Sequence, residues 1–88
     1  MRACVLLDRD GQLVAVDSGH EADGESLAEL ARELLGRAGT GQVEVSTGAG
    51  IVFALRGERW TLAVVAGRFA LSSLVFFDMR CALEELEG

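Results

Sequence analysis

The sequence has no proline, no tyrosine and no lysine, and only one histidine and two cysteines in 88 residues. Without lysine, all eight basic positions are arginine; against 14 acidic residues they leave a formal net charge of -6. The arginines are scattered rather than clustered, so a phosphate backbone is repelled on average and nucleic-acid binding is not expected. Cys4 and Cys81 stand at opposite ends of the chain with no CxxC spacing, which offers neither a disulfide framework nor a zinc motif. Two reduced, buried thiols are the expected state. His20 has no second ligand at metal-binding spacing and reads as an exposed loop residue. No segment has the basic-then-apolar layout of a signal peptide, and no apolar run is long enough to cross a bilayer. A soluble cytoplasmic protein with no membrane partner is therefore expected.

Catalytic signatures are missing as well. No GxxxxGK[ST] occurs and no GxGxxG opens a helix after a strand, so the glycines between positions 36 and 50 read as turn residues. Ser72 and Ser73 have no base nearby. The acidic pairs Asp8/Asp10 and Glu84/Glu85 belong to a hairpin turn and a solvated helix end. No catalytic, cofactor-binding or metal-binding residue is assigned, and an enzyme is not expected.

What is present is apolar. Half the residues are hydrophobic, which marks a globular chain. A domain of this size buries only about 60–65% of the surface its unfolded chain exposes, which favours self-association. The run Trp60–Ala66 is short, β-branched and apolar at successive positions, as in a central strand covered on both faces. Ala3–Leu7 is a second such run. Asp10-Gly11 follows it and leads into Leu13–Val16, a hairpin in which Gly11 takes positive φ without steric cost. A helix is expected to start near Asp23, whose carboxylate can accept first-turn amides. Leu27, Leu30, Ala31, Leu34 and Leu35 form its apolar stripe, Glu33 and Arg37 are spaced for an i,i+4 ion pair, and Gly36 or Gly39 can end it. Gln42–Thr47 alternates apolar and polar like a half-buried edge strand without proline or lysine protection. Ile51–Leu55 and the opening run complete the strands. Ser72 or Ser73 can cap a last helix reaching about Glu87, with a stripe of Val75, Met79, Ala82, Leu83 and Leu86. The order is β-β-α-β-β-β-α, an α+β class in a single domain over residues 1–88.

Three stretches carry a family resemblance: Val5-Leu6-Leu7-Asp8-Arg9-Asp10-Gly11-Gln12-Leu13-Val14-Ala15, a strand-DxDG-strand hairpin; Ser26-Leu27-Ala28-Glu29-Leu30-Ala31; and Ala70-Leu71-Ser72-Ser73-Leu74-Val75 continuing through Arg80, Ala82, Leu83, Glu84, Glu85 and Leu86. In this pattern the chain resembles the Roadblock / dynein light chain domain family, in a bacterial short form. The resemblance implies a five-stranded antiparallel sheet of order 2-1-5-4-3 with helices on both faces. It also implies a non-catalytic homodimer whose third strands pair across a two-fold axis and whose middle helices pack together, and a partner among the Ras-like small GTPases. The interface so implied contains Ala28 and Arg32 of the middle helix and Val43, Glu44, Val45 and Ser46 of the third strand. A typical member begins with a helix before the first strand; here the strand starts at once, which should uncover part of the sheet or of the last helix.

Partner contacts are expected on the last helix, from Leu74, Phe76, Phe77 and Arg80. Phe76 and Phe77 are adjacent, and a helix on a sheet cannot bury both equally. Either both belong to the core of a well-buried helix or one is exposed with Leu74 as a patch for a second chain. The alternative is a PAS- or profilin-like sensor domain enclosing a small apolar ligand, which would require an interior cavity. No cofactor is implied by either reading.

Overall fold

A computed structural model describes residues 3–17, 21–39, 41–48, 50–67 and 69–87; His20 lies outside them. The elements are β1 (Ala3–Leu7), β2 (Leu13–Asp17), α1 (Glu21–Ala38), β3 (Gln42–Thr47), β4 (Gly50–Arg56), β5 (Thr61–Ala66) and α2 (Ser72–Glu87). The strands form one antiparallel sheet in the order β2-β1-β5-β4-β3, which is the topology implied by the resemblance.

β5 is central because it is apolar on both faces. Val64 pairs with Cys4 of β1 on one side and Phe53 of β4 on the other. Alternate residues then enter different layers. Ala63 joins Val5, Leu7, Val52 and Ala54 under α1, where Leu27, Ala28, Ala31 and Leu35 complete one core. Leu62, Val64 and Ala66 join Phe53 and Leu55 under Phe76, Met79 and Leu83 of α2 in the other. Phe53 and Phe76 meet edge to face with ring centroids 5.2 Å apart, a geometry worth about 0.5–1.5 kcal/mol beyond area burial. Among the described residues no polar or charged residue is buried.

The two helices cover the sheet unequally. α1 touches all five strands, whereas α2 packs on β4 and β5. On the α2 side, Cys4 and Leu6 of β1 are only half-buried and Ala15 of β2 is exposed.

Local chemistry sets the ends. α1 begins at Glu21, two residues before the expected start, so Asp23 sits within its first turn. It runs through Gly36 and ends before Gly39, whose φ is +67°. Glu33 and Arg37 form the expected ion pair at 2.9 Å, on the solvent side. At the head of α2 the Ser72 hydroxyl does not cap the helix; it donates to Glu44 Oε2 of β3 at 2.9 Å. The α2 stripe is also rotated from the sequence reading. Phe76, Met79 and Leu83, at i, i+3 and i+7, are its buried face, while Leu86 is exposed.

The β1–β2 hairpin turns on Asp8. Its Oδ1 accepts the amides of Asp10 and Gln12, both at 2.9 Å, and Gly11 follows at φ +84°. Asp8→Ala leaves both amides to water and should cost about 1 kcal/mol, or roughly 4–8 °C in Tm. Thermal unfolding followed by circular dichroism measures it.

Candidate functional site

Two surfaces stand out among the described residues. The first is the β3 edge. Its residues alternate exposed and half-buried, with Val43 and Val45 half-covered on the α1 side. Leu30 and Leu34 of α1, also half-buried, lie on that same side of the sheet. Among the described residues β3 is the last strand on its side of the sheet, the position from which an edge accepts another chain. On the opposite side, Glu44 accepts the Ser72 hydroxyl, and Gln42 Oε1 accepts from Arg80 Nη2 at 2.7 Å. These two bonds from α2 hold the polar face of the edge strand in place.

Two residues expected at a homodimer contact are placed differently. Ala28 is fully buried beneath α1 in the protomer's own core, because it lies roughly 20° from Leu35 around the helix. It has no surface to offer a second chain. Arg32 is exposed, but it projects roughly 160° from both Leu30 and Leu34 around the helix. Its Nη1 donates to the Gly11 carbonyl oxygen of the hairpin. Val43, Glu44, Val45 and Ser46 all lie on the edge strand itself.

The second surface is the outer face of α2. Leu74 and Phe77 are 58% and 60% exposed. With exposed Cys81 they follow at i, i+3 and i+7 along one stripe. Phe76, also expected as a contact residue, is 6% exposed and belongs to the core, because the rotation of α2 sets its ring against Phe53. Arg80 is exposed and its guanidinium is held by Gln42. Cys81 is exposed and Cys4 half-buried. The expectation of two buried thiols is thus corrected for Cys81, because its position on α2 turns it from the sheet. Exposed Asp78, Glu84 and Glu85 flank the stripe.

Solved structures share this architecture. A Roadblock/LC7 domain from Streptomyces avermitilis superposes with a TM-score of 0.83 at 26% identity, over 98% of this chain and 82% of that one. A second Roadblock/LC7 structure from the same organism gives 0.78 at 25% identity, over 94% and 80%. The chain has the Roadblock/LC7 fold. MglB of Myxococcus xanthus has the same fold, with a TM-score of 0.73 at 22% identity over 97% of this chain and 79% of that one. No protein-family model matches the sequence, and no curated protein matches it.

On this Roadblock/LC7 frame the sequence reading missed Leu30 and Leu34 beside the edge strand. Both were assigned to the α1 core, since periodicity marks a stripe but not its rim. It also missed Phe69 and Leu71, which are 98% and 64% exposed just before α2. They stand in a short non-helical stretch, where no period tells inside from outside. Among the described residues no group of three His, Cys, Asp or Glu side chains is placed to hold a metal ion. Among the same residues no helix is long and apolar enough to cross a membrane.

Proposed function

We propose that the protein is a non-catalytic adaptor that pairs with a second copy of itself along β3. In this reading it presents the outer face of α2 to a regulatory partner, a Ras-like small GTPase. The observation that carries the reading is the pair of half-satisfied surfaces on a Roadblock/LC7 fold. Val43, Val45, Leu30 and Leu34 form an apolar strip beside an open edge. Leu74 and Phe77 form an exposed ridge on the opposite layer. An antiparallel edge can pair with its own symmetry mate, since a two-fold axis makes the contact self-complementary. The partner class rests on the family resemblance.

Val45→Arg tests the pairing. An arginine brought into the strip without a counter-charge should weaken the dimer by about 3 kcal/mol or more, a factor beyond 100 in dissociation constant. Sedimentation equilibrium reads the mass and circular dichroism checks the fold. A wild-type protein that stays monomeric at high concentration counts against the pairing. Co-elution with Ras-like GTPases loaded with GDP or GTP tests the partner, and binding in neither state removes the GTPase assignment. For the alternative sensor reading, one depression among the described residues, at the end of the sheet, has the wrong lining. It is rimmed by arginines and aspartates, which do not suit an apolar ligand.

A further inference from the structure

The hairpin, α1 and the end of β4 meet at a depression of about 380 Å³ lined by Leu7, Asp8, Arg9, Asp10, Gly11, Arg32, Leu35, Arg56 and Thr61. Three of the chain's eight arginines converge there, from three separate elements. In a molecule of net charge -6 this is a local reversal of sign. Among the described residues the ion pair belongs to Arg37 and Glu33, and no carboxylate holds Arg9, Arg32 or Arg56.

The arrangement is partly organised in advance. Arg32 donates one Nη to the Gly11 carbonyl. Its Cδ lies 3.0 Å from where a Cβ on Gly11 would stand, so the absence of a side chain there lets the arginine lie against the turn. A guanidinium already held at one nitrogen has less rotamer freedom to lose when its other N–H groups engage a ligand. Asp8 also lines the depression, with its Oδ1 engaged by two hairpin amides. With Asp10 there are two carboxylates against three guanidiniums, which leaves the lining with a net positive charge. The floor is apolar, from Leu7 and Leu35, and Thr61 adds a hydroxyl. The volume is at the small end of the range for ligand sites, about 300–1,000 Å³. That leaves room for a short-chain anion and not for a dinucleotide.

We propose that this depression binds a small organic anion, a carboxylate or phosphate monoester of few carbons, through the guanidiniums of Arg9, Arg32 and Arg56. The fork of N–H donors on each arginine matches both oxyanion types. Arg32 projects to the opposite flank of α1 from Leu30 and Leu34, whereas the Arg56 amide donates to the Gly41 carbonyl just before β3.

The test is a titration of the full ¹⁵N-labelled chain with inorganic phosphate and, separately, with succinate, each matched in ionic strength by sodium chloride. Saturable amide shifts at Gly11, Arg32 and Thr61 are expected with at least one of them. Phosphate alone identifies a phosphoryl ligand, succinate alone a carboxylate, and both a general oxyanion clamp. Arg9→Gln and Arg56→Gln, whose side chains make no bond to the described residues, should each weaken binding about tenfold without altering core amides. Arg32→Lys keeps the charge but loses the fork, and should bind more weakly than wild type. Shifts no larger than those from sodium chloride, or shifts unchanged in the Arg9→Gln/Arg56→Gln double variant, would overturn the proposal.

Discussion

Phe76→Ala should remove a large share of the protein's stability, whereas Phe77→Glu, one residue along, should leave the fold intact and remove partner binding. Phe76 is buried against Phe53, Met79 and Leu83, in the layer where α2 covers β4 and β5. Truncating a buried phenylalanine costs about 3–5 kcal/mol. A chain of this length has roughly 4–13 kcal/mol in total, at 0.05–0.15 per residue. The loss therefore consumes a large share of the margin, and urea unfolding should show a sharply lowered midpoint. Phe77 is 60% exposed, and a charge there meets water in the free protein. In a complex it would face a desolvated contact, where loss of an aromatic anchor costs about 2 kcal/mol or more. Titration of each variant against the GTPase, beside its unfolding curve, separates the roles. A Phe77→Glu protein that unfolds, or binds as wild type, would refute the assignment of Phe77 to a docking surface.

Gly50→Ala should be nearly as damaging, although it adds a single methyl group. Gly50 opens β4 at φ +136°, in a region that side-chain-bearing residues rarely adopt, and a Cβ there would overlap the carbonyl oxygen of Ala66 on β5. Strain of that backbone type costs about 1–3 kcal/mol. The overlap adds to it, because the obstacle is the main chain of a neighbouring strand and not a mobile side chain. A total of about 3 kcal/mol or more is expected. Thermal unfolding checks it, and Gly48→Ala is the control, since a Cβ at Gly48 meets nothing within 4 Å. Equal losses at the two glycines would mean that loop entropy, and not the clash with Ala66, governs this turn.

Much of the architecture was legible because periodicity and composition report which faces an element must bury. Continuous apolar runs at Ala3–Leu7 and Trp60–Ala66 marked the two inner strands, since only a strand covered on both sides tolerates such a run. The alternating Gln42–Thr47 marked an edge. Asp10-Gly11 marked the hairpin through the backbone freedom of one residue. Less was readable where two arrangements share one pattern. Adjacent Phe76 and Phe77 are equivalent in hydropathy, and the choice between them depended on how α2 rotates to bring Phe76 against Phe53. Ala28 illustrates the same point: a small residue next to the apolar stripe fits a rim or a core, and the angle of the helix on the sheet put it in the core.

The sequence by itself determined the class of fold, the order of its strands through the family pattern, and the absence of any familiar catalytic motif. Those follow from local preferences that act within a few residues of each position. Only the tertiary structure decided which apolar side chains remain uncovered and that Arg9, Arg32 and Arg56 share one depression. Both depend on contacts between segments more than twenty residues apart, and no local pattern encodes the rotation and distance of one packed element against another.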